Sequence, residues 1–260
     1  MGNNEKKTRL TKIILFVTCM IFLISFNIYI NTGRRLVNRF QGYFLKQVFR
    51  EPYSRPTFLG VRSMQFPSDN WVAQEIIYEI KPDFILEIGT AEGGTALFYA
   101  TILEKVNEQG KVITVSRDSP DEWRKRVDEK MKKYSHKEVI GQKNIPKAYE
   151  YKIWKEKIIF IEGNSEDPRI VDRVTKMIEG RKVFILLDSL KKKNHVLKNL
   201  SHYALPVAAG SYVMVHDTAT PEAYEAVQEF VKANDNFQID RSRERFLVTL
   251  SPSGFLKKIK

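Results

Sequence analysis

Asp188-x-x-Lys191 and the adjacent pair His216-Asp217 supply two carboxylates, an imidazole and an amine, the groups needed to hold a divalent cation and move a proton. Hard carboxylates suit Mg²⁺ or Mn²⁺, with Mg²⁺ preferred, and the imidazole also admits Fe²⁺ or Zn²⁺. A cation held by Asp188, His216 and Asp217 would orient a substrate hydroxyl and lower its pKa. Lys191 stands close enough to Asp188 to act as a general base once a neighbouring cation depresses its own pKa. Plainer uses exist for the same residues: Asp188 and Asp217 as helix caps or acceptors for loop amides, Lys191-Lys192-Lys193 as a solvated charge run. His195, one helical turn beyond Lys191, either lines the same rim or serves the fold.

A second cluster lies upstream. Phe84 to Ile88 is an apolar run that breaks into Gly89-Thr90-Ala91-Glu92-Gly93-Gly94 and reopens as a helix from Thr95. Glycines let a backbone approach a ligand closely, and the first N–H groups of the helix add donors. The order Gly89-x-x-x-Gly93-Gly94, with Glu87 on the strand, departs from the G-x-G-x-x-G dinucleotide fingerprint. It fits a loop for S-adenosylmethionine better than one for NAD. A tight turn with small residues for helix packing is the bland alternative.

Elements that position these residues follow from the pattern of the chain. Apolar strands at Phe84–Ile88, Val112–Ser116, Ile158–Glu162, Val183–Asp188 and Tyr212–His216 alternate with helical stretches, which predicts an α/β fold, a Rossmann-like, doubly wound and mainly parallel sheet. In such sheets the ligand sits beyond the carboxyl ends of the strands. The strand ends then contribute Glu87 with the glycine loop, Ser116 and Asp118, Asn164 and Ser165, Asp188 and Lys191, and His216-Asp217. Glu87, Gly89, Thr90, Gly93, Gly94, Thr95, Ser116, Asp118, Asn164 and Ser165 are the candidate cofactor contacts. Pro67-Ser68-Asp69 reads as a helix start before Trp71–Ile80. Near the C-terminus, Phe237–Asp240 and Phe246–Ser251 flank a polar turn and predict an antiparallel hairpin. The insertion 119–156 is Lys-rich with scattered Trp and Tyr, and reads as a solvated excursion or a lid.

Composition bounds the rest. The 260 residues suit one catalytic domain, residues 67–260, with an appendage. Cys19 is the one cysteine, which excludes disulfides within the chain and zinc sites built on cysteine. The net charge of +12 comes from basic residues scattered over tail, insertion and C-terminus, a distribution that favours an anionic membrane surface over nucleic acid. Residues 1–12 are a basic tail, and Ile13–Ile30 is an apolar run near the lower limit for a spanning helix, read as a single-pass membrane anchor. No small-x-small cleavage site follows it, which argues against a signal peptide. Residues 31–66 form a basic, aromatic juxtamembrane segment. Positive charges on both flanks leave orientation open, and a methyl donor made in the cytosol requires the large domain there.

From about Phe58 onward the chain resembles the cephalosporin hydroxylase and rhamnosyl O-methyltransferase family, with the catechol O-methyltransferase group behind it. The resemblance rests on Glu87 to Leu97, on Leu187-Asp188-Ser189 with His195-Val196-Leu197, on Gly210 to Val213 leading to Asp217-Thr218, and on Phe246 to Thr249 with Pro252 to Leu256. It implies that the glycine loop holds S-adenosylmethionine, that Asp188, His216 and Asp217 take metal-ligand positions, and that the product is a methyl ether on a glycan, glycolipid or similar hydroxyl. The chain departs from the family pattern at four places. Ser116 stands where the family has an acid for the ribose, with Asp118 two positions later as a substitute. His216-Asp217 replaces a Glu-Asp pair, Lys191 replaces a histidine and recovers the Asp-x-x-Lys spacing of catechol-type enzymes, and Asn164 replaces an aspartate near the adenine. Two other readings stand beside this one: an iron-dependent hydroxylase at the same three ligands, and a membrane-bound binding protein whose site has decayed. A homo-oligomer is left open.

Overall fold

The computed structural model describes residues 15–16, 18–20, 56–134, 146–246 and 248–260, without the side chains of 130–134. The chain divides into Met1–Glu51 and Pro52–Lys260, and the elements below belong to the second unit. A short hairpin, β1 (Thr57–Phe58) and β2 (Val61–Arg62), precedes α1 (Pro67–Ile80). Then come β3 (Phe84–Ile88), α2 (Gly94–Val106), β4 (Lys111–Ser116), α3 (Pro120–Tyr134), α4 (Lys152–Lys157), β5 (Ile158–Glu162) and α5 (Pro168–Ile178). The chain continues through β6 (Val183–Leu187), α6 (Lys193–Asn199), β7 (Tyr212–Val215), α7 (Pro221–Ala233), β8 (Phe237–Ile239) and β9 (Phe255–Lys258).

The seven strands β3 to β9 pair in the order β5-β4-β3-β6-β7-β9-β8. The first five are parallel; β9 runs antiparallel between β7 and β8. Alternation along each strand feeds two cores. Leu86, Ile88, Ile185, Leu187, Val213 and Val215 pack with helices α5, α6 and α7 on one face. Ile85, Phe184, Leu186, Tyr212 and Met214 pack with α1 and α2 on the other. Glu87 falls on this second face at a position the pattern would give an apolar residue, and it is buried.

The α/β expectation is met, with three differences. The hairpin expected between Phe237–Asp240 and Phe246–Ser251 instead joins β8 to Phe255–Lys258. Asp69 explains the shift: its carboxylate accepts from Leu250 N–H at 2.9 Å and Ser251 Oγ at 3.3 Å, while Ser68 Oγ donates to the Val248 carbonyl at 2.8 Å. That segment is therefore held on the start of α1 and cannot enter the sheet. The insertion is not a solvated excursion in its described parts. Arg124 and Asp128 of α3 reach Glu92 and Arg62, and Trp154 of α4 is buried against the glycine loop.

The expected membrane anchor is the third difference, and with it the single-pass, cytosolic-facing placement is corrected. Among the described residues no helix is long and apolar enough to cross a membrane. Residues 13–14, 17 and 21–30 of the expected anchor, the tail 1–12 and residues 31–55 lie outside the described residues.

Candidate functional site

Parallel pairing in register aligns the carboxyl ends of the central strands, and the backbone carries the alignment one residue further. Gly89 N–H donates to the Val115 carbonyl at 2.9 Å, Asp188 N–H to Ile88 at 2.9 Å, His216 N–H to Leu187 at 3.0 Å, and Gly163 N–H to Ser116 at 2.8 Å. Residues scattered over more than a hundred positions of sequence thus arrive along one edge of the sheet.

At that edge Asp188, His216 and Asp217 each offer a ligand atom, all within 4.8 Å of one another. His216 Nδ1 lies 3.3 Å from Asp188 Oδ1 and 3.2 Å from Asp217 Oδ2, yet neither ring nitrogen makes a well-directed hydrogen bond. The contacts are ionic in character. Burial alone would lower the imidazole pKa, but the Asp188 and Asp217 carboxylates outweigh it and raise it to about 10. Burial likewise pushes Asp217 up, but His216 and Lys191 pull it down to about 2. Asp217 sits at φ 57°, a left-handed conformation uncommon for a non-glycine residue, which the neighbourhood enforces. Its carbonyl accepts both the Thr220 N–H at 2.9 Å and Thr220 Oγ1 at 2.8 Å.

Lys191 reaches this cluster, but as a partner: its ammonium donates to Asp217 Oδ2. Lys192 pairs with Glu222, and Lys193 with Glu225 and Glu229. The lysine run is therefore not merely solvated; it ties the loop after β6 to the end of β7 and to α7. Gln65 Nε2 donates to the other carboxylate oxygen of Asp188, Oδ2, at 2.5 Å. Nothing in the sequence marked Gln65, because its link to Asp188 spans 123 positions.

The glycine loop lies beside this cluster. Gly89, at φ 114°, passes so close to β6 that a Cβ would stand 2.0 Å from the Asp188 carbonyl oxygen. Gly93 and Gly94 are closely packed as well. A Cβ on Gly93 would meet Trp154 at 2.7 Å and Ala148 at 2.8 Å, and one on Gly94 the Arg62 carbonyl oxygen at 2.2 Å. Their open faces are filled by protein, so these two glycines serve close packing of hairpin and insertion. Glu92, next to Gly93, is fully buried, with Arg62 Nη1 at 2.8 Å and Arg124 Nε at 2.9 Å. Ser63 Oγ and Thr95 Oγ1 are 3.0 Å apart. Within the strand layer Thr114 Oγ1 donates to Glu87 Oε2 at 2.5 Å and lies 2.7 Å from Thr90 Oγ1. Burial, helped by the Asp188 charge and opposed by the Thr114 hydroxyl, raises the Glu87 carboxyl to about 8.

The remaining candidates lie at the expected strand ends and carry structural bonds as well. Ser116 closes β4, and Asp118 is paired with Arg126 at 2.5 Å. Asn164 Oδ1 accepts from Glu166 N–H at 3.2 Å, and the Ser165 carbonyl accepts from the Tyr203 hydroxyl at 2.6 Å. Glu166 itself went unmarked in the sequence; its carboxylate receives His195 Nδ1.

The chain matches known proteins over most of its length. The family model described as Rhamnosyl O-methyltransferase/CmcI matches residues 52–139 and 138–259. A rhamnosyl O-methyltransferase of Mycobacterium tuberculosis (strain ATCC 25618 / H37Rv) is 28% identical over 218 residues, 78% of each chain. The Mycobacterium leprae protein of the same name is 26% identical over 220 residues, 78% of this chain and 83% of that one. Among solved structures, a CmcI structure with Mg and SAM aligns at TM-score 0.55 and 16% identity over 80% of this chain and 78% of that one. The CmcI apo structure aligns at TM-score 0.54 and 15% identity, over 80% and 77%. These two structural matches speak for the fold.

Proposed function

The chain belongs to the rhamnosyl O-methyltransferase/CmcI family and on that premise is an S-adenosylmethionine-dependent O-methyltransferase; we propose that it methylates a hydroxyl of a glycan or glycolipid. One observation carries the reading: the tips of β3, β6 and β7 bring Glu87, Asp188, His216 and Asp217 to one edge beside the glycine loop. The curated relatives, named for a rhamnosyl acceptor, support a sugar hydroxyl. The net charge of +12 suits an acceptor on an anionic carrier.

In this reading an acceptor oxygen is held in line with the sulfonium methyl carbon of S-adenosylmethionine. The C–O bond forms as the C–S bond breaks, with the electron pair passing to sulfur. Holding the two reactants in that geometry supplies much of the acceleration. Negative charge gathers on the acceptor oxygen as its hydroxyl gives up the proton, and the Lys191 ammonium is a positive group at this edge. While Lys191 donates to Asp217 it has no lone pair to offer, so its part is electrostatic.

The residues present fit a divalent cation: two carboxylates face a buried imidazole whose nitrogens lack hydrogen bonds. Asp188, His216 and Asp217 would hold it. Such a cation, when bound, orients the acceptor hydroxyl and lowers its pKa. One imidazole with two carboxylates is the reverse of the facial triad of iron oxygenases, so the donor set does not favour a hydroxylase.

The test is titration calorimetry of the full chain with S-adenosylmethionine, followed by transfer of labelled methyl to a rhamnose-bearing glycolipid. Binding and label in the sugar are expected; absence of binding overturns the reading. Excess chelator should abolish transfer and Mg²⁺ should restore it. Full transfer in chelator would remove the cation and leave the methyltransferase.

A further inference from the structure

Ser189, His195 and Glu166 form a hydrogen-bonded chain next to the carboxylate cluster. Ser189 Oγ is 2.7 Å from His195 Nε2, and His195 Nδ1 meets Glu166 Oε1. Three separate elements supply the three groups: the loop after β6, the first turns of α6 and the loop after β5. His195 is buried, Ser189 and Glu166 are half-buried, and Lys198 Nζ holds the second Glu166 oxygen at 2.7 Å. Asn199 Nδ2 donates to the His195 carbonyl at 2.8 Å and steadies that turn. A cavity lined by Leu187 to Lys191 with His195 and His216 places Ser189 in the same recess as Asp188.

The bonding fixes the roles. Lys198 and His195 hold the Glu166 carboxyl below the usual range, so it has no proton to give and Nδ1 must be the donor. In a ring that carries one proton, Nε2 is then the lone-pair site, and it faces the Ser189 hydroxyl. Serine, base and orienting acid stand in the order that activates a hydroxyl elsewhere in enzymology.

Resting on the methyltransferase reading, we propose that Ser189, His195 and Glu166 are the proton relay that deprotonates the acceptor hydroxyl. The acceptor O–H proton passes to Ser189 Oγ as the Ser189 proton passes to His195 Nε2. The acceptor oxygen takes the methyl carbon, and the C–S electron pair remains on sulfur. Glu166 stabilises the imidazolium, which returns its proton through Ser189 to water once product leaves. The relay takes the general-base part that Lys191, bound to Asp217, leaves open.

Ser189→Ala and His195→Asn test it, Asn keeping a donor toward Glu166. Both should lower kcat about 10²- to 10⁴-fold, while the Kd for S-adenosylmethionine by calorimetry stays within about threefold. Glu166→Gln should lower kcat less. A readout independent of turnover is ¹⁵N NMR of histidine-labelled full chain, which should show the His195 proton on Nδ1 and a changed Nδ1–H signal in Glu166→Gln. Unchanged kcat in Ser189→Ala and His195→Asn overturns the relay and leaves the methyltransferase standing. So does a His195 protonated on Nε2, even where a variant fails to fold. A wild-type chain that does not bind S-adenosylmethionine overturns both.

Discussion

Arg62 Nη1 lies 2.8 Å from Glu92 Oε1, and both side chains are shut away from water. The pair fastens the β1–β2 hairpin to the glycine loop, and Arg124 fastens the insertion to the other oxygen of the same carboxylate. Removing one member of a buried pair leaves an uncompensated charge, which costs about 3–5 kcal/mol. Because Arg124 stays in place, Arg62→Met should fall at the low end, about 3 kcal/mol. Chemical denaturation measures it, and a loss below about 0.5 kcal/mol would mean the pair is not closed in solution.

Trp154 fills the space where Gly93 has no side chain. Gly93→Ala combines a clash with a backbone at φ 88° that suits glycine, and should cost about 1–3 kcal/mol. Trp154→Leu should return part of that loss in the double variant. Strict additivity of the two thermal shifts would show that the residues do not touch.

Asp188→Asn keeps the shape of the side chain while halving the carboxylate count opposite His216. Turnover should drop at least about a hundredfold, with S-adenosylmethionine affinity changed far less. Equal losses in kcat/KM and in methyl-donor affinity would assign Asp188 to binding alone.

Glu87 gives a pH signature. Its folded carboxyl titrates near 8 against an ordinary 4.5, so between those values the native state holds a proton that the unfolded chain has released. Stability tied to the neutral form is complete below about 4.5 and declines as pH rises toward 8. Glu87→Gln accepts the same Thr114 bond without a charge, and should flatten the fall in melting temperature from pH 6 to pH 9. Parallel curves for the two proteins would contradict the assignment.

The sheet and the strand-end residues were legible because they are local. Apolar runs such as Val183–Leu187 declare buried parallel strands, and the rule for open sheets then names the residues that follow them. What was hidden depends on long-range capture. Asp69 holds Leu250 and Ser251 across about 180 positions and so moves the second hairpin strand to Phe255. Composition marked the insertion as polar, but only tertiary structure pairs Arg124 with Glu92 or packs Trp154 on Gly93. The lysine run follows the same logic, since the acids that neutralise it stand after β7 and on α7. Glu166 was equally silent: a lone glutamate after a strand acquires meaning only through the histidine it meets.

Because β9 follows β8 in the chain yet lies between β7 and β8, the far edge of the sheet cannot be finished in the order of synthesis. A nascent chain halted before Phe255 has an uncovered β7 margin and a β8 segment with no neighbour. Bare margins of that kind template misassembly. Ribosome-stalled intermediates should therefore depend on chaperones until the segment carrying Phe255–Lys258 has emerged, after which that dependence ends abruptly.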